Sequence, residues 1–253
     1  MEAYYYKAYY QLEREHWWFR ARLEILSSMI SNRIYKGKSL KILNAGVATG
    51  ATSKMLESFG EVTSLEYDKD CCHFLKEELK MDVIQGSLTD LPFKDNSFDL
   101  VCAFDVIEHI QDDQKAVHEI KRVLKQDQKF FVTVPAYQFL WSEHDEVNYH
   151  FRRYTRTQLG KLFSEAGLRV NLKSYFNAIL FPPIALVRTL SKLLPNKNTE
   201  SQENRSDFEK YTPGSLSDKV LYRIFKTERF FLKRGVRFPF GVSILMIGEK
   251  ADP

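Results

Sequence analysis

Short apolar runs alternate with helical stretches along most of this chain, and that alternation constrains the fold more than any other feature. Leu40–Ala45, Val62–Glu66, Val83–Gln85, Phe98–Ala103, Lys129–Val134 and Val170–Phe176 read as strands. Ala51–Phe59, Lys69–Leu79, Asp112–Leu124 and Thr157–Ala166 read as the helices between them, the last closed by Gly167 at a C-cap position. Pro135 stops the fifth strand, and a helix over Gln11–Arg33 precedes the first. Strands and helices in this order imply a parallel sheet covered on both faces. Ligands of such sheets bind beyond the carboxyl ends of the strands.

After the sixth strand the pattern breaks, and about 65 residues intervene before a last strand at Val242–Gly248. Ala178–Val187 is strongly apolar but only about half a membrane span, and its Pro182-Pro183 makes a bend. A polar stretch, Pro195–Ser206, reads as a linker, and Leu216–Arg234 as a basic helix with large aromatics. The expected organisation is an N-terminal helical cap over 1–37 and a domain over 38–253 that carries a basic, apolar helical insertion at 177–240. The overall charge of +4 conceals an asymmetry: Leu168–Phe240 alone carries a net +8. Such a region suits an anionic partner, and a membrane surface, an acceptor-binding cap and an oligomer face are the roles open to it. Nucleic acid fits poorly, since no RNA-binding motif accompanies the charge. Cys71, Cys72 and Cys102 form no CxxC pair and imply a reducing, cytoplasmic setting, with the inner membrane face as the expected peripheral site. The N-terminal residues lack the apolar core of a signal peptide.

The turn after the first strand, Asn44-Ala45-Gly46-Val47-Ala48-Thr49-Gly50, sets small residues against a helix N-terminus. Backbone can approach a ligand closely there, and free N–H groups face it. Glu66 ends the next strand twenty residues after Gly46, where a carboxylate can accept from both hydroxyls of a ribose.

A wider series runs Gly86-Ser87, Leu91-Pro92-Phe93, Phe98-Asp99-Leu100-Val101, Asp105-Val106-Ile107-Glu108-His109 and Arg122-Val123-Leu124. With the turn and Glu66, it resembles the type 11 family of class I S-adenosylmethionine (SAM) dependent methyltransferases over roughly residues 38–175. The resemblance implies a Rossmann-like α/β fold whose seven-stranded, mostly parallel sheet gains its antiparallel strand from Val242–Gly248. It implies SAM as cofactor, with Asn44, Gly46, Ala48 and Gly50 around the methionine moiety. Glu66 and Tyr67 would lie at the ribose, Ser87 and Leu88 at the adenine, and Phe104 and Asp105 at the sulfonium. Three positions depart from the family: Asn44 replaces an acid, Ala48 a glycine and Ser87 an aspartate. Lys125–Gln128 also stands where the family commonly turns on glycines. These departures motivate a second reading, a non-catalytic scaffold on the same fold.

Two clusters could handle an acceptor. Asp105, Glu108 and His109 fall at i, i+3 and i+4, one face of a helical turn. A similar Glu-x-x-Glu-His holds a divalent metal in ubiquinone-pathway and small-RNA O-methyltransferases. Here the first acid is the shorter Asp, and the expectation is that no metal is held, with His109 a candidate base. The second cluster follows the fifth strand: Trp141, His144, Asp145, Glu146, His150, Arg152, Arg153 and Tyr154. Its HD…H-x-RRYT pattern resembles a subset of type 11 proteins. His144 beside Asp145 is another candidate base, and Arg152 and Arg153 could grip a carboxylate or phosphate. The expected activity is methyl transfer to a small or lipid-linked acceptor, with oxygen preferred. His16, Trp17, Trp18 and Arg20 are expected on a helix that closes over the cofactor.

Overall fold

The computed structural model describes residues 3–193 and 212–251. The expected linker Pro195–Ser206 lies outside them. Two helices, α1 (Ala3–Glu15) and α2 (Trp17–Arg33), lead into β1 (Leu40–Ala45), α3 (Ala51–Leu56), β2 (Gly60–Glu66), α4 (Lys69–Glu77) and β3 (Ile84–Gln85). Then come β4 (Phe98–Phe104), a 3-10 turn at Ile107–His109, α5 (Asp113–Val123) and β5 (Leu124–Pro135). The short α6 (Glu143–Val147), α7 (Arg156–Glu165), β6 (Arg169–Phe176), α8 (Phe181–Leu193), α9 (Leu216–Lys233) and β7 (Ser243–Glu249) complete the order.

The strands form one sheet in the order β3-β2-β1-β4-β5-β7-β6. The pairings from β3 to β5 are parallel, and β7 runs antiparallel to both β5 and β6. This is the seven-stranded arrangement expected from the resemblance. The chain reverses order between β1 and β4, and the turns after those strands meet at the switch point where ligands of open α/β sheets lie.

Alternate residues of each strand feed two cores. Leu43, Val101, Phe130 and Val132 pack under α5 and α7, and Phe130 stacks on Phe163 at 4.6 Å. Ile42, Leu100, Phe131 and Leu245 face α2 and α9. Phe225 of α9 lies over Phe176 and meets the edge of Trp17. Glu228, fully buried on α9, accepts from the Ala178 and Ile179 amides at 2.7 and 3.0 Å. The helix read as part of an insertion thus covers one face of the sheet. Among the described residues no helix is long and apolar enough to cross a membrane.

Several boundaries differ from the sequence reading. The single helix expected over Gln11–Arg33 is two, divided at His16. His16 holds extended backbone (ψ 132°) and caps α2, its Nδ1 accepting from the Trp18 amide at 3.1 Å. The divide turns α1 onto the first glycine turn. Lys125–Gln128 is strand, because β5 starts directly at Leu124 and Asp127 takes the left-handed backbone (φ +60°) that glycine would otherwise supply. The helix after β1 ends at Leu56 instead of Phe59.

Candidate functional site

The first turn is held by its own backbone and by Glu66. Gly46 has φ +74°, and a Cβ there would lie 2.3 Å from Cγ2 of Val106, so the turns after β1 and β4 touch only through glycine. Gly50, at φ +86°, starts α3. Glu66 Oε2 accepts from the Ala48 amide at 3.1 Å, and Oε1 from the Tyr67 and Asp68 amides at 2.8 and 3.0 Å. Burial raises its pKa, against these three amide bonds. Ala48 sits at φ +46°, a conformation that explains why glycine is usual there.

Asn44 is fully buried at the floor of the turn. Its Nδ2 donates to Thr52 Oγ1 and Ser53 Oγ at 2.8 and 2.9 Å, while its Oδ1 has no partner. An aspartate would accept from those hydroxyls instead, so the substitution keeps the tie between β1 and α3. Ser87 shares a 2.8 Å hydrogen bond with Thr89, Leu88 is buried and Tyr67 is largely exposed.

Helix α1 lies across this turn, contributing residues that sequence reasoning missed. Glu13 is buried and accepts from Thr49 Oγ1, and burial raises its pKa. Arg14 donates to the Thr49 carbonyl at 3.1 Å, and Tyr6 donates to Asp68 Oδ1 at 2.8 Å. Helix α2 adds Arg22, buried and 2.5 Å from Asp105 Oδ2. Arg22 also donates to Thr133 Oγ1, which donates to Asp105 Oδ1, both at 3.1 Å. Charged residues on an amphipathic helix read as a solvated face, and no spacing in the sequence separates these from the rest.

The donors and acceptors present fit an adenosyl ligand. Glu66 presents one anchored carboxylate, small residues line the turn, and the buried Asn44 Oδ1 is an acceptor with no partner among the described residues. A hollow of about 440 Å³ lined by Glu24, Ser28, Met55 and Arg229 lies on the α2–α9 side and includes none of these residues.

The second cluster centres on Asp145, fully buried on α6. Burial would raise its pKa, but His150 and a bidentate Arg153 hold it well below the usual carboxylate range. His150 Nδ1 lies 2.8 Å from Oδ1, and the Arg153 bonds are 2.7 and 2.9 Å. Arg153 also donates to the Ala136 carbonyl. Arg152 faces the other way, to Asp113 Oδ2 at 2.9 Å and the Gln111 carbonyl at 2.7 Å. Tyr154 joins the same Asp113. Both arginines, expected to grip an acceptor, are therefore engaged within the protein. His144 lies beside Asn148, its ring 6.2 Å from that of His150.

This loop meets the turn after β4. The Phe151 amide donates to the Glu108 carbonyl at 2.8 Å, and the rings of His109 and His150 stand edge to face at 4.5 Å. His109 is exposed as a residue, yet its ring is crowded enough that desolvation and then His150 lower its pKa to about 4. Glu108 is fully buried. The fold thus brings together Glu108, His109 and His150 and turns Asp105 away to Arg22.

Residues 43–132 match the family model Methyltransf_11, described as a methyltransferase domain. Over those residues the chain is similar to class I, type 11 methyltransferase domains. A Mycolicibacterium smegmatis protein named a probable S-adenosylmethionine-dependent methyltransferase is 31% identical over 163 residues, 63% of this chain and 62% of that protein. The demethylmenaquinone methyltransferase of Staphylococcus aureus is 33% identical over 96 residues, 35% of this chain and 40% of that one. The chain spans about three-fifths of the length of the first of these curated relatives. The structure of Haemonchus contortus phosphoethanolamine N-methyltransferase 2 in complex with S-adenosyl-L-methionine shares the fold, with a TM-score of 0.55 at 16% identity, covering 90% of this chain and 52% of that one. The matched residues run from β1 to β5 and include both the Gly46 turn and the Glu108-His109 turn.

Proposed function

We propose that this chain is a SAM-dependent methyltransferase that methylates a small or lipid-linked acceptor, at oxygen. The observation that carries the reading is Glu66, fixed by three backbone amides at the end of β2 and bonded to the turn around Gly46. A carboxylate so held keeps one lone pair, on Oε2, for a ribose hydroxyl and loses no freedom in meeting it. Ser87 and Leu88 would border the adenine, Arg14 the methionine carboxylate, and Phe104 and Asp105 the sulfonium side. SAM, when bound, supplies a methyl group already activated for displacement.

The protein's remaining work is to orient the acceptor and take its proton. His150 suits that work, because Asp145 fixes Nδ1–H and leaves Nε2 as the basic nitrogen. His109 stands against it, and His144 belongs to the same loop. Oxygen is favoured as the methyl acceptor because a hydroxyl needs such a base. Arg152 and Arg153 act as positioning residues: Arg153 holds Asp145 of α6, and Arg152 ties the loop to Asp113 at the start of α5.

A lipid-linked acceptor is supported by the surface next to this loop. Leu186, Val187 and Leu190 of α8, with Phe139 and Ile179, are exposed. Lys192 and Arg188 bond to the Phe139 and Leu140 carbonyls and tie α8 to the loop after β5. An apolar, basic face there suits peripheral contact with the inner face of a membrane. Likeness to a demethylmenaquinone methyltransferase points the same way.

The test is transfer of labelled methyl from SAM to small-molecule and lipid extracts. Label in a hydroxyl-bearing compound, lost in His150→Ala, is the expected result. Ala48 and the buried Asn44 favour the second reading, a scaffold. Absence of transfer to every fraction by a folded, SAM-binding chain would establish it.

A further inference from the structure

We infer that Arg22, on α2, is a positioning residue that sets the charge facing the sulfonium of SAM by holding Asp105 in a neutral pair. The inference rests on the cofactor placement proposed above. Arg22 lies outside residues 43–132, so the family match says nothing of it.

Arg22 Nη2 stands 2.5 Å from Asp105 Oδ2 and donates to Thr133 Oγ1 at 3.1 Å, and that hydroxyl donates to Asp105 Oδ1 at 3.1 Å. Both Asp105 oxygens are thereby held, one of them by a cation. Apolar rings surround the guanidinium, whose carbon is 5.2 Å from the Trp18 ring centre and 5.8 Å from that of Phe104. The Arg22 side chain is 6% exposed and Thr133 is fully buried, whereas the Asp105 side chain is 25% exposed. The network therefore opens outward at Asp105. Its neighbour Val106 is the residue that touches Gly46, so this opening lies beside the first turn. Asp105 also holds φ +57°, a left-handed backbone of the kind that gathers at binding sites.

Pairing decides what charge a ligand meets there. A lone carboxylate would attract the positive sulfonium before transfer and lose that attraction as the charge disappears, which raises the barrier. A lone guanidinium would repel SAM and leave the uncharged sulfur of S-adenosylhomocysteine unaffected. Paired, the two present little net charge, and affinity is left to Glu66 and the turn. Two further acids lie within the field of Arg22, Glu13 and Glu108, but burial raises the pKa of both and favours their neutral forms. Asp105 is the carboxylate that Arg22 neutralises.

The test is the ratio of SAM to S-adenosylhomocysteine affinity, measured by calorimetry on the full chain at one pH and ionic strength. Arg22→Met should shift the ratio toward SAM by about tenfold or more, and Asp105→Asn away from SAM by a similar factor. The double variant should return it close to the parent's, and Arg22→Lys, which keeps the charge, should leave it there. Damage to the fold weakens both ligands together and gives no such opposition of sign. Should Arg22→Met fail to fold, Asp105→Asn, nearly identical in shape to the parent, still decides the matter. An unmoved ratio in Asp105→Asn, or shifts of one sign in both single variants, would overturn the role of Arg22 while leaving the cofactor reading intact. A folded parent that binds neither ligand would overturn both.

Discussion

Beyond β1 and β2 the edge of the sheet is built from backbone. Glu66 is met by three amides, Gly46 and Gly50 by their own turn geometry, and the residues involved lie within one βαβ unit. Beyond β4 and β5 the edge is built from side chains. Asp145, Arg153, His150, His109 and Glu108 come from segments some forty residues apart and depend on one another. Apart from Gly46, the first half is more tolerant of side-chain identity, which is how Asn44 and Ala48 can replace the usual residues. The second half tolerates little, since removing one member strands a buried charge.

That contrast can be broken at Asp145. Asp145→Ala leaves the Arg153 guanidinium buried without its carboxylate, and urea unfolding should show a loss of about 3–5 kcal/mol. A loss below about 1 kcal/mol would mean the network is not coupled as described. A smaller effect comes from the junction that turns α1 onto the backbone half. Burial lowers the His16 pKa to about 4, against a weaker opposing pull from Asp218. The unfolded chain takes up that proton near pH 6.5 and the folded chain only near 4. Stability is therefore complete above 6.5 and declines as pH falls through that window, by up to roughly 3 kcal/mol. His16→Asn, which keeps a capping side chain, should flatten the decline in thermal melts taken from pH 7 to 4. The smallest effect is expected at Ala48. Ala48→Gly removes the strain of φ +46° but frees the unfolded chain, for a net gain of about 0.5–1 kcal/mol. A destabilised variant would show that the methyl group at 48 packs usefully.

The same contrast explains what could be read from sequence. The sheet, the Gly46 turn and Glu66 follow from local patterns of strand, turn and helix. The antiparallel placement of Val242–Gly248 came through the family resemblance, and β7 holds it between β5 and β6. The acceptor side was legible only as a list of residues. Though adjacent, Arg152 and Arg153 part to Asp113 and Asp145 instead of acting as one clamp, and nothing in their spacing says so. His150 meets His109 across 41 positions, a separation that no periodicity spans. Glu13, Arg14 and Arg22 were hidden for a related reason: their partners, Thr49 and Asp105, are reached only because His16 breaks the helix.

The central claim, a cofactor site organised on Glu66, is tested most directly by calorimetric titration of the ligand-free chain with SAM and with S-adenosylhomocysteine. The account predicts micromolar binding of both, lost in Glu66→Ala while the variant keeps the parent's circular dichroism. Absence of heat up to millimolar ligand from a folded parent, or unchanged affinity in Glu66→Ala, would contradict it.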